Sequence, residues 1–137
     1  MTRVYVDMVA DLFHYGHVEF LKKARGLGDY LLVGIHSDDV VAFYKKGRPI
    51  LTMEERVNSV AACRYVDEVV PNAPLTVDRS WIDLHDIHLV AHGDDSTKEQ
   101  LEYMYNVPIS MGIFRTVPYA IGISTTEIIR RIIDAGA

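Results

Sequence analysis

Residues 30–35 read Tyr-Leu-Leu-Val-Gly-Ile, a near-continuous apolar run. A strand of a parallel sheet is covered on both faces, so its sequence is hydrophobic at nearly every position. The preceding residues 17–27 carry apolar side chains at the spacing of one helical face, and Gly28 is placed to end that helix. Another apolar run, at residues 3–6, comes before them. The order strand, helix, strand predicts the βαβ unit of a parallel sheet.

The same alternation continues through the rest of the chain. Thr52 and Glu55 form a capping box that predicts the start of a helix, and Ser124 and Glu127 predict another. The other predicted elements are strands at residues 68–70, 88–91 and 109–114 and helices around residue 81, at 99–105 and from 124 to about 135. Right-handed crossovers then give an α/β fold, a Rossmann-like doubly wound parallel sheet of about five strands, in a single domain spanning residues 1–137.

Composition and charge exclude several classes of protein. The 137 residues suit one domain, and the formal charge of −5 argues against a nucleic-acid surface, which needs clustered Lys and Arg. No apolar run is long enough to span a bilayer and no signal peptide precedes the first strand, so we expect a cytoplasmic protein. The single Cys63 cannot form an internal disulfide, which fits a reducing compartment. The end at Ala137 suits either a complete small protein or one domain of a longer polypeptide.

The first candidate site is the pair His14 and His17, after the first predicted strand and at the start of the next helix. Residues three apart can point the same way, and a helix start offers free backbone N–H groups and partial positive charge. Gly16 lets the backbone approach a ligand closely. The pair therefore predicts phosphate binding, with both imidazoles donating hydrogen bonds as charge builds. Two histidines in a surface loop are the alternative, and a zinc site is disfavoured because no third ligand is evident nearby.

Two further segments suit anion binding. Ser124 and Thr125 follow Gly122 and open the last helix, so this helix start either binds an anion or is a plain cap. Lys46 lies in the basic run 45–49, which either closes over a triphosphate or forms a solvated turn.

Residues 92–95 read His-Gly-Asp-Asp just past the predicted fourth strand. Carboxylates in this position, Asp94 and Asp95, suit ribose hydroxyls, a metal ion or an alcohol, and the alternative is a capped turn. A zinc site using His85 and His88 with this segment carries little weight, because a strand would separate the ligands. The chain shows no obvious nucleophile, which predicts direct transfer without a covalent enzyme intermediate.

Together these motifs resemble the cytidylyltransferase family, which includes the choline-phosphate, ethanolamine-phosphate and glycerol-phosphate enzymes. The matching segments are residues 11–17 (Asp-Leu-Phe-His-Tyr-Gly-His), 28–31, 54–56, 64–69 (Arg-Tyr-Val-Asp-Glu-Val), 92–95 and 122–126 (Gly-Ile-Ser-Thr-Thr). The resemblance implies the nucleotidyltransferase type of fold. It also implies in-line attack of a substrate phosphoryl oxygen on the α-phosphorus of CTP, with Mg²⁺ helping pyrophosphate to leave.

The same resemblance implies roles for individual residues. The expected catalytic residues are His14, His17, Lys46 and Arg115. The expected nucleotide-binding residues are Val9, Ala10, Gly16, Gly93, Asp94, Ser124 and Thr125. The expected acceptor-binding residues are Asp11, Arg64 and His92. Residues 64–69 imply a homodimer, since the family uses this segment at a dimer interface near the active site.

Departures from the family pattern bear on the acceptor. Residues 8–11 read Met-Val-Ala-Asp, without the glycine and aromatic that the family carries there. Val117–Ile121 stand where the family has one residue, and we expect them to form a lid or pocket wall that affects acceptor preference more than CTP affinity. Leu75 and the pair 96–97 replace aromatics of the choline enzymes. Choline phosphate should therefore be a poor substrate, because quaternary ammonium groups bind aromatic faces.

The acceptor and the nucleotide leave alternatives open. Carboxylates such as Asp11, Asp94 or Asp95 can hold the primary ammonium of ethanolamine phosphate. The chain also resembles cytidylyltransferase domains of phosphonate-antibiotic biosynthesis. We therefore expect 2-hydroxyethylphosphonate or a similar C2 compound first, ethanolamine phosphate second and choline phosphate last. An adenylyltransferase using ATP and a non-catalytic nucleotide sensor are the other hypotheses.

Overall fold

The computed structural model describes residues 1–45 and 47–136. Within them the strands are β1 (Arg3–Met8), β2 (Tyr30–His36), β3 (Glu68–Ala73), β4 (Leu89–Gly93) and β5 (Phe114–Val117). The helices are α1 (Tyr15–Arg25), α2 (Asp38–Tyr44), α3 (Met53–Ala61), α4 (Arg79–Leu84), α5 (Lys98–Ser110) and α6 (Thr125–Asp134). All paired strands are parallel, in the order β3-β2-β1-β4-β5. The predicted Rossmann-like doubly wound sheet is confirmed.

The apolar run at residues 30–35 is covered on both faces, as its composition predicts. Leu31 and Val33 pack with Phe20 of α1 in one core cluster. Leu32, one residue out of phase, packs with Tyr105 of α5 in a second cluster on the other face. Because β1 lies between β2 and β4, the chain changes direction across the sheet there, and the crevice opens at the carboxyl ends of these strands.

One helix was not predicted. Ser37 caps α2, and its Oγ accepts a hydrogen bond from the backbone N–H of Val40. The basic run 45–49 therefore follows a helix, instead of following β2 directly as predicted. The helix is only seven residues long and contains β-branched and aromatic residues, so its propensity signal is weak.

The predicted strand at 109–114 was wrong in its first part, because α5 continues to Ser110 and β5 begins at Phe114. Pro108 lies inside α5, where its ring would clash with the carbonyl of Met104 in a regular helix. The helix is kinked at Tyr105, and the Met104 carbonyl accepts a hydrogen bond from the backbone N–H of Val77 instead. This tertiary contact lets the helix pass the proline.

The two predicted capping boxes have different outcomes. The reciprocal pair at Thr52 and Glu55 is confirmed. At α6 only half of the box forms: Ser124 Oγ accepts from the N–H of Glu127, but the Glu127 carboxylate pairs with arginines of the next turn.

Among the described residues, every helix is too short or too polar to cross a membrane. The predicted cytoplasmic location stays a prediction.

Candidate active site

A cleft of about 1000 Å³ opens at the carboxyl ends of β1, β2 and β4. Its walls come from the loop after β1, the starts of α1 and α6, the end of α2 and the segment after β4. Of the predicted site residues it brings together Val9, Ala10, Asp11, His17, His92, Gly93, Ser124 and Thr125. Motifs more than 100 positions apart along the chain thus share one cavity.

The two histidines at the start of α1 hold each other in place. His14 is the N-cap residue, and its Nδ1 accepts a hydrogen bond from the Gly16 N–H at 3.0 Å. His17 Nδ1 accepts from the His14 N–H at 3.1 Å, and the two ring centroids are 4.0 Å apart. Since each Nδ1 accepts, the proton of each neutral ring lies on Nε2. Both rings are therefore hydrogen-bond donors through Nε2.

Both imidazoles are held neutral. The pKa of His17 is lowered to about 3, chiefly by burial and also by His14 and Lys45, while Asp11 opposes them. Burial also lowers the pKa of His14. His14 Nε2 is buried and finds no partner among the described residues, which is a costly state for an N–H donor. The pair can stabilise anionic oxygens by donating hydrogen bonds without carrying charge.

Residue 16 must be a glycine because the His14 ring leaves no room for a side chain there. A Cβ at this position would lie 2.8 Å from Cε1 and 3.0 Å from Nδ1 of the His14 ring. The predicted reason for this glycine was close approach of a ligand, but the space beside it is filled by the capping histidine.

The start of α6 is fastened to the loop after β1. Thr125 Oγ1 donates to the Asp11 carbonyl at 2.9 Å, and Ser124 Oγ is engaged in capping. These contacts give the two hydroxyls a positioning role, and their predicted role as ligands stays a prediction. The first-turn N–H groups of the helix, which lack helical carbonyl partners, carry the capacity to bind an anion.

Asp11 also has a positioning role. One carboxylate oxygen accepts the N–H of Ile50 at 2.8 Å and the other accepts the N–H of Leu51 at 2.9 Å. With each oxygen accepting one backbone N–H, this buried carboxylate anchors the segment after the basic run, and its predicted acceptor-binding role stays a prediction.

Arg56 joins the two sides of the cleft. Its guanidinium is fully buried and donates to the carbonyls of Val9 and His36, each at 2.8 Å, and to the Asp38 carboxylate at 2.7 Å. It thus connects the loop after β1, the end of β2 and the first turn of α2.

Among the described residues, five predicted ones do not line the cleft: His14, Gly16, Arg64, Asp94 and Arg115. Arg115 lies exposed on β5, and its Nη1 donates to the carbonyls of Gly112 and Phe114, because Val117–Ile121 separate it from the start of α6. Arg64 lines a separate groove of about 420 Å³ beside α3, so within one chain it cannot reach the acceptor. One oxygen of the Asp94 carboxylate, Oδ1, accepts the N–H of Tyr119 at 3.0 Å.

Other predictions cannot be placed at the cleft. Lys46 lies outside the described residues, although its neighbours Lys45 and Arg48 line the cleft. The predicted homodimer through residues 64–69 stays a prediction. Within residues 1–45 and 47–136, no group of three His, Cys, Asp or Glu side chains is arranged to hold a metal ion.

A buried polar chain at the floor of the cleft was not predicted. Asp7 accepts a hydrogen bond from the Tyr105 hydroxyl, and its other carboxylate oxygen lies 3.4 Å from His36 Nε2. His36 Nδ1 lies 2.8 Å from the Tyr44 hydroxyl. Burial, with Asp7 nearby, raises the pKa of both tyrosines, so they remain neutral. Asp7 lies near the carboxyl end of β1 and His36 lies at the carboxyl end of β2. Parallel sheets bind ligands at the carboxyl ends of their strands, so this rule could have identified both residues.

A family model described as cytidylyltransferase-like matches residues 8–131. The chain belongs to the cytidylyltransferase-like family. It is similar to the ethanolamine-phosphate cytidylyltransferase of Arabidopsis thaliana, with 53% identity over 137 residues, and to that of Dictyostelium discoideum, with 48% identity over 135 residues. The matches cover 95% and 96% of this chain but 32% and 38% of those proteins. The chain thus spans about a third of their length.

A solved structure supports the fold of this cytidylyltransferase-like domain. The lipopolysaccharide core biosynthesis protein from Thermoplasma volcanium GSS1 is similar with a TM-score of 0.69 and 23% identity, over 88% of this chain and 97% of that one. At this identity the likeness shows the fold alone.

The cleft of this cytidylyltransferase-like domain has three regions with different chemistry. They are the helix-start region (His17, Ser124, Thr125), the Asp7 region (Asp7, His36, Tyr44, Tyr105) and the Tyr119 region (Phe20, Gly93, Asp95, Tyr119). The first offers neutral donors, the second a buried carboxylate and the third an aromatic wall. Asp7 Oδ2 faces His36 on β2, whereas the Tyr119 ring rests against Gly93 on β4, and these two strands flank β1.

Proposed function

We propose that this domain transfers the cytidylyl group of CTP to ethanolamine phosphate and releases pyrophosphate. A phosphate oxygen of the acceptor attacks the α-phosphorus of CTP, and the bond from that phosphorus to the bridging oxygen breaks. Pyrophosphate carries away the electron pair, and the product is CDP-ethanolamine. The proposal is supported by the family, by the names of its two relatives and by the chemistry of the cleft.

The helix-start region suits the phosphates. His17 presents a neutral Nε2–H donor, and the first turn of α6 presents backbone N–H groups beside it. Such donors stabilise the charge that builds on the phosphoryl oxygens in the transition state. No covalent enzyme intermediate is needed, because the acceptor itself supplies the nucleophile. We expect Mg²⁺ to enter as MgCTP, since this ion usually binds through substrate phosphates.

The observation that carries the acceptor assignment is the Asp7 carboxylate. Its side chain is almost completely buried, and its Oδ2 lacks a hydrogen-bond partner among the described residues, because the His36 contact is long at 3.4 Å. A buried, incompletely paired carboxylate is costly unless a cationic donor joins it. The primary ammonium of ethanolamine phosphate supplies three donors and the opposite charge.

This reasoning changes the expected order of acceptors. A neutral hydroxyl, as in 2-hydroxyethylphosphonate, leaves the Asp7 charge uncompensated, so ethanolamine phosphate should bind better. A trimethylammonium group has no N–H to donate, and Leu75 stands in the cleft wall where an aromatic would favour it. Choline phosphate should therefore rank below ethanolamine phosphate.

Pyrophosphate release tests the function directly. The protein is given CTP with Mg²⁺ and one of the three acceptors in turn, and kcat/KM is compared. Asp7→Asn should raise the KM for ethanolamine phosphate about thirtyfold or more, the effect of truncating one partner of a buried charge pair, with little effect on the KM for CTP. Asp39→Asn is the matched control, since the Asp39 side chain is 89% exposed.

Three results would contradict the proposal: no acceptor-dependent pyrophosphate release, a higher kcat/KM with ATP in place of CTP, or an unchanged ethanolamine phosphate KM in Asp7→Asn. If 2-hydroxyethylphosphonate gave the highest kcat/KM, the reaction type would stand but the assignment of ethanolamine phosphate as acceptor would be wrong.

A further inference from the structure

The segment Val117–Ile121 is fastened to the mouth of the cleft. The N–H of Tyr119 donates to Asp94 Oδ1 at 3.0 Å, and Lys23 Nζ donates to the carbonyl of Pro118 at 3.0 Å. One contact comes from the loop after β4 and the other from α1. The segment is thus held from two sides, which gives its side chains defined positions.

The ring of Tyr119 forms part of the cleft wall. It is half-buried, and its centroid lies 6.0 Å from that of Phe20. A Cβ added to Gly93 would lie 3.1 Å from Tyr119 Cδ2, so the ring rests against the backbone at the end of β4. Ile121, two residues further on, is 99% exposed and plays no part in the wall.

The other two regions of the cleft are assigned to the phosphates and the ammonium group, so the Tyr119 region remains for the nucleoside. The helix-start region takes the phosphates, and the unpaired Asp7 Oδ2, which faces His36 on the β2 side of β1, takes the ammonium group. The α-phosphorus joins the acceptor to the nucleoside, so the nucleoside extends away from Asp7, toward Gly93 at the end of β4. A nucleotide that lies across the crevice of an open α/β sheet in this direction meets Tyr119.

We propose that the Tyr119 ring is the wall against which the nucleoside of CTP packs. The direction in which CTP lies rests on the proposed function, but the contact is testable by binding without turnover. Aromatic rings stack on any base, so Tyr119 contributes affinity for the nucleotide and leaves the choice of base to other groups. This role differs from the sequence expectation, in which the segment affects the acceptor more than CTP.

The test measures MgCTP binding by calorimetry in the absence of an acceptor. Tyr119→Ala should raise the Kd at least about fivefold, the lower end for loss of a base–aromatic stacking contact. Tyr119→Phe keeps the ring and should stay within about twofold of the wild type. Ile121→Ala, in the same segment but pointing into solvent, is the matched control and should change nothing. The KM for ethanolamine phosphate should be unchanged in all three variants.

An unchanged MgCTP Kd in Tyr119→Ala overturns the proposal, and so does a rise confined to the acceptor KM. If thermal unfolding shows that Tyr119→Ala does not fold, Tyr119→Leu fills similar space without an aromatic face and should give the same rise. A wild-type protein that binds MgCTP but releases no pyrophosphate refutes the proposed function and leaves this contact standing. A wild-type protein that binds no MgCTP refutes both.

Discussion

The neutral state of His17 predicts an acid-sensitive fold. In the unfolded chain this imidazole has an ordinary pKa of 6.5, whereas burial lowers the pKa in the folded protein to about 3. Above pH 6.5 the imidazole is neutral in both the folded and the unfolded protein, so it does not make the free energy of unfolding depend on pH. Below pH 6.5 the unfolded chain takes up a proton that the folded protein refuses, so stability falls as the pH falls and continues to fall down to about pH 3.

The size of the loss follows from the interval of pH. One pH unit corresponds to about 1.4 kcal/mol, so lowering the pH from 6.5 to 5.0 should cost about 2 kcal/mol of unfolding free energy through His17. The lowered pKa of His14 acts in the same direction.

Urea unfolding, followed by circular dichroism at pH 7.5 and pH 5.0, measures this loss. His17→Asn keeps an oxygen that can accept the His14 N–H but cannot take up a proton, so it should lose about 2 kcal/mol less than the wild type between the two pH values. Ile121→Ala changes an exposed side chain that does not titrate and should lose as much as the wild type. An equal loss in His17→Asn and the wild type would show that His17 is not held neutral, and the argument for its Nε2–H donor would fail.

Two further substitutions test catalysis and the framework of the cleft. His17→Ala should lower kcat by about a hundredfold or more with little change in the KM for CTP, because the donor acts as charge develops; a near-normal kcat would remove His17 from the mechanism. Arg56→Met should lower the free energy of unfolding by at least about 2 kcal/mol, since it leaves the carbonyls of Val9 and His36 without their donor. Arg79→Met, which removes an exposed pair with Asp83, should cost at most about 1 kcal/mol. Chemical denaturation compares the two arginine variants, and similar losses would contradict the positioning role of Arg56.

The parts of the fold that follow local rules were predictable from sequence. The apolar run at 30–35 and the capping box at Thr52 are complete within a few residues, and both formed as expected. The end of α5 was not predictable, because whether Pro108 ends the helix depends on Val77, which binds the carbonyl that the proline would clash with. A contact between positions 27 residues apart leaves no local signal.

The same distinction applies to the site. The helix starts at His14 and Ser124 have local motifs, and the structure brings both to one end of the sheet. The Asp7 region depends on Tyr105, 98 positions away in sequence, so only the fold reveals it. Arg115 was assigned to the site by its motif, although residues 117–121 stand where the family has one residue; in the structure these residues separate the arginine from the helix start.

The His14 ring occupies the space beside Gly16, so the effect of a substitution at either position depends on the residue at the other. An alanine at residue 16 would push the imidazole away, and with it the cap of α1 and the Nε2–H donor of His14. Replacing His14 alone would remove the ring that excludes a side chain at residue 16. The glycine would then only make the first turn more flexible. A library that varies residues 14 and 16 independently would therefore contain few active members, and functional alternatives should appear as joint changes at both positions.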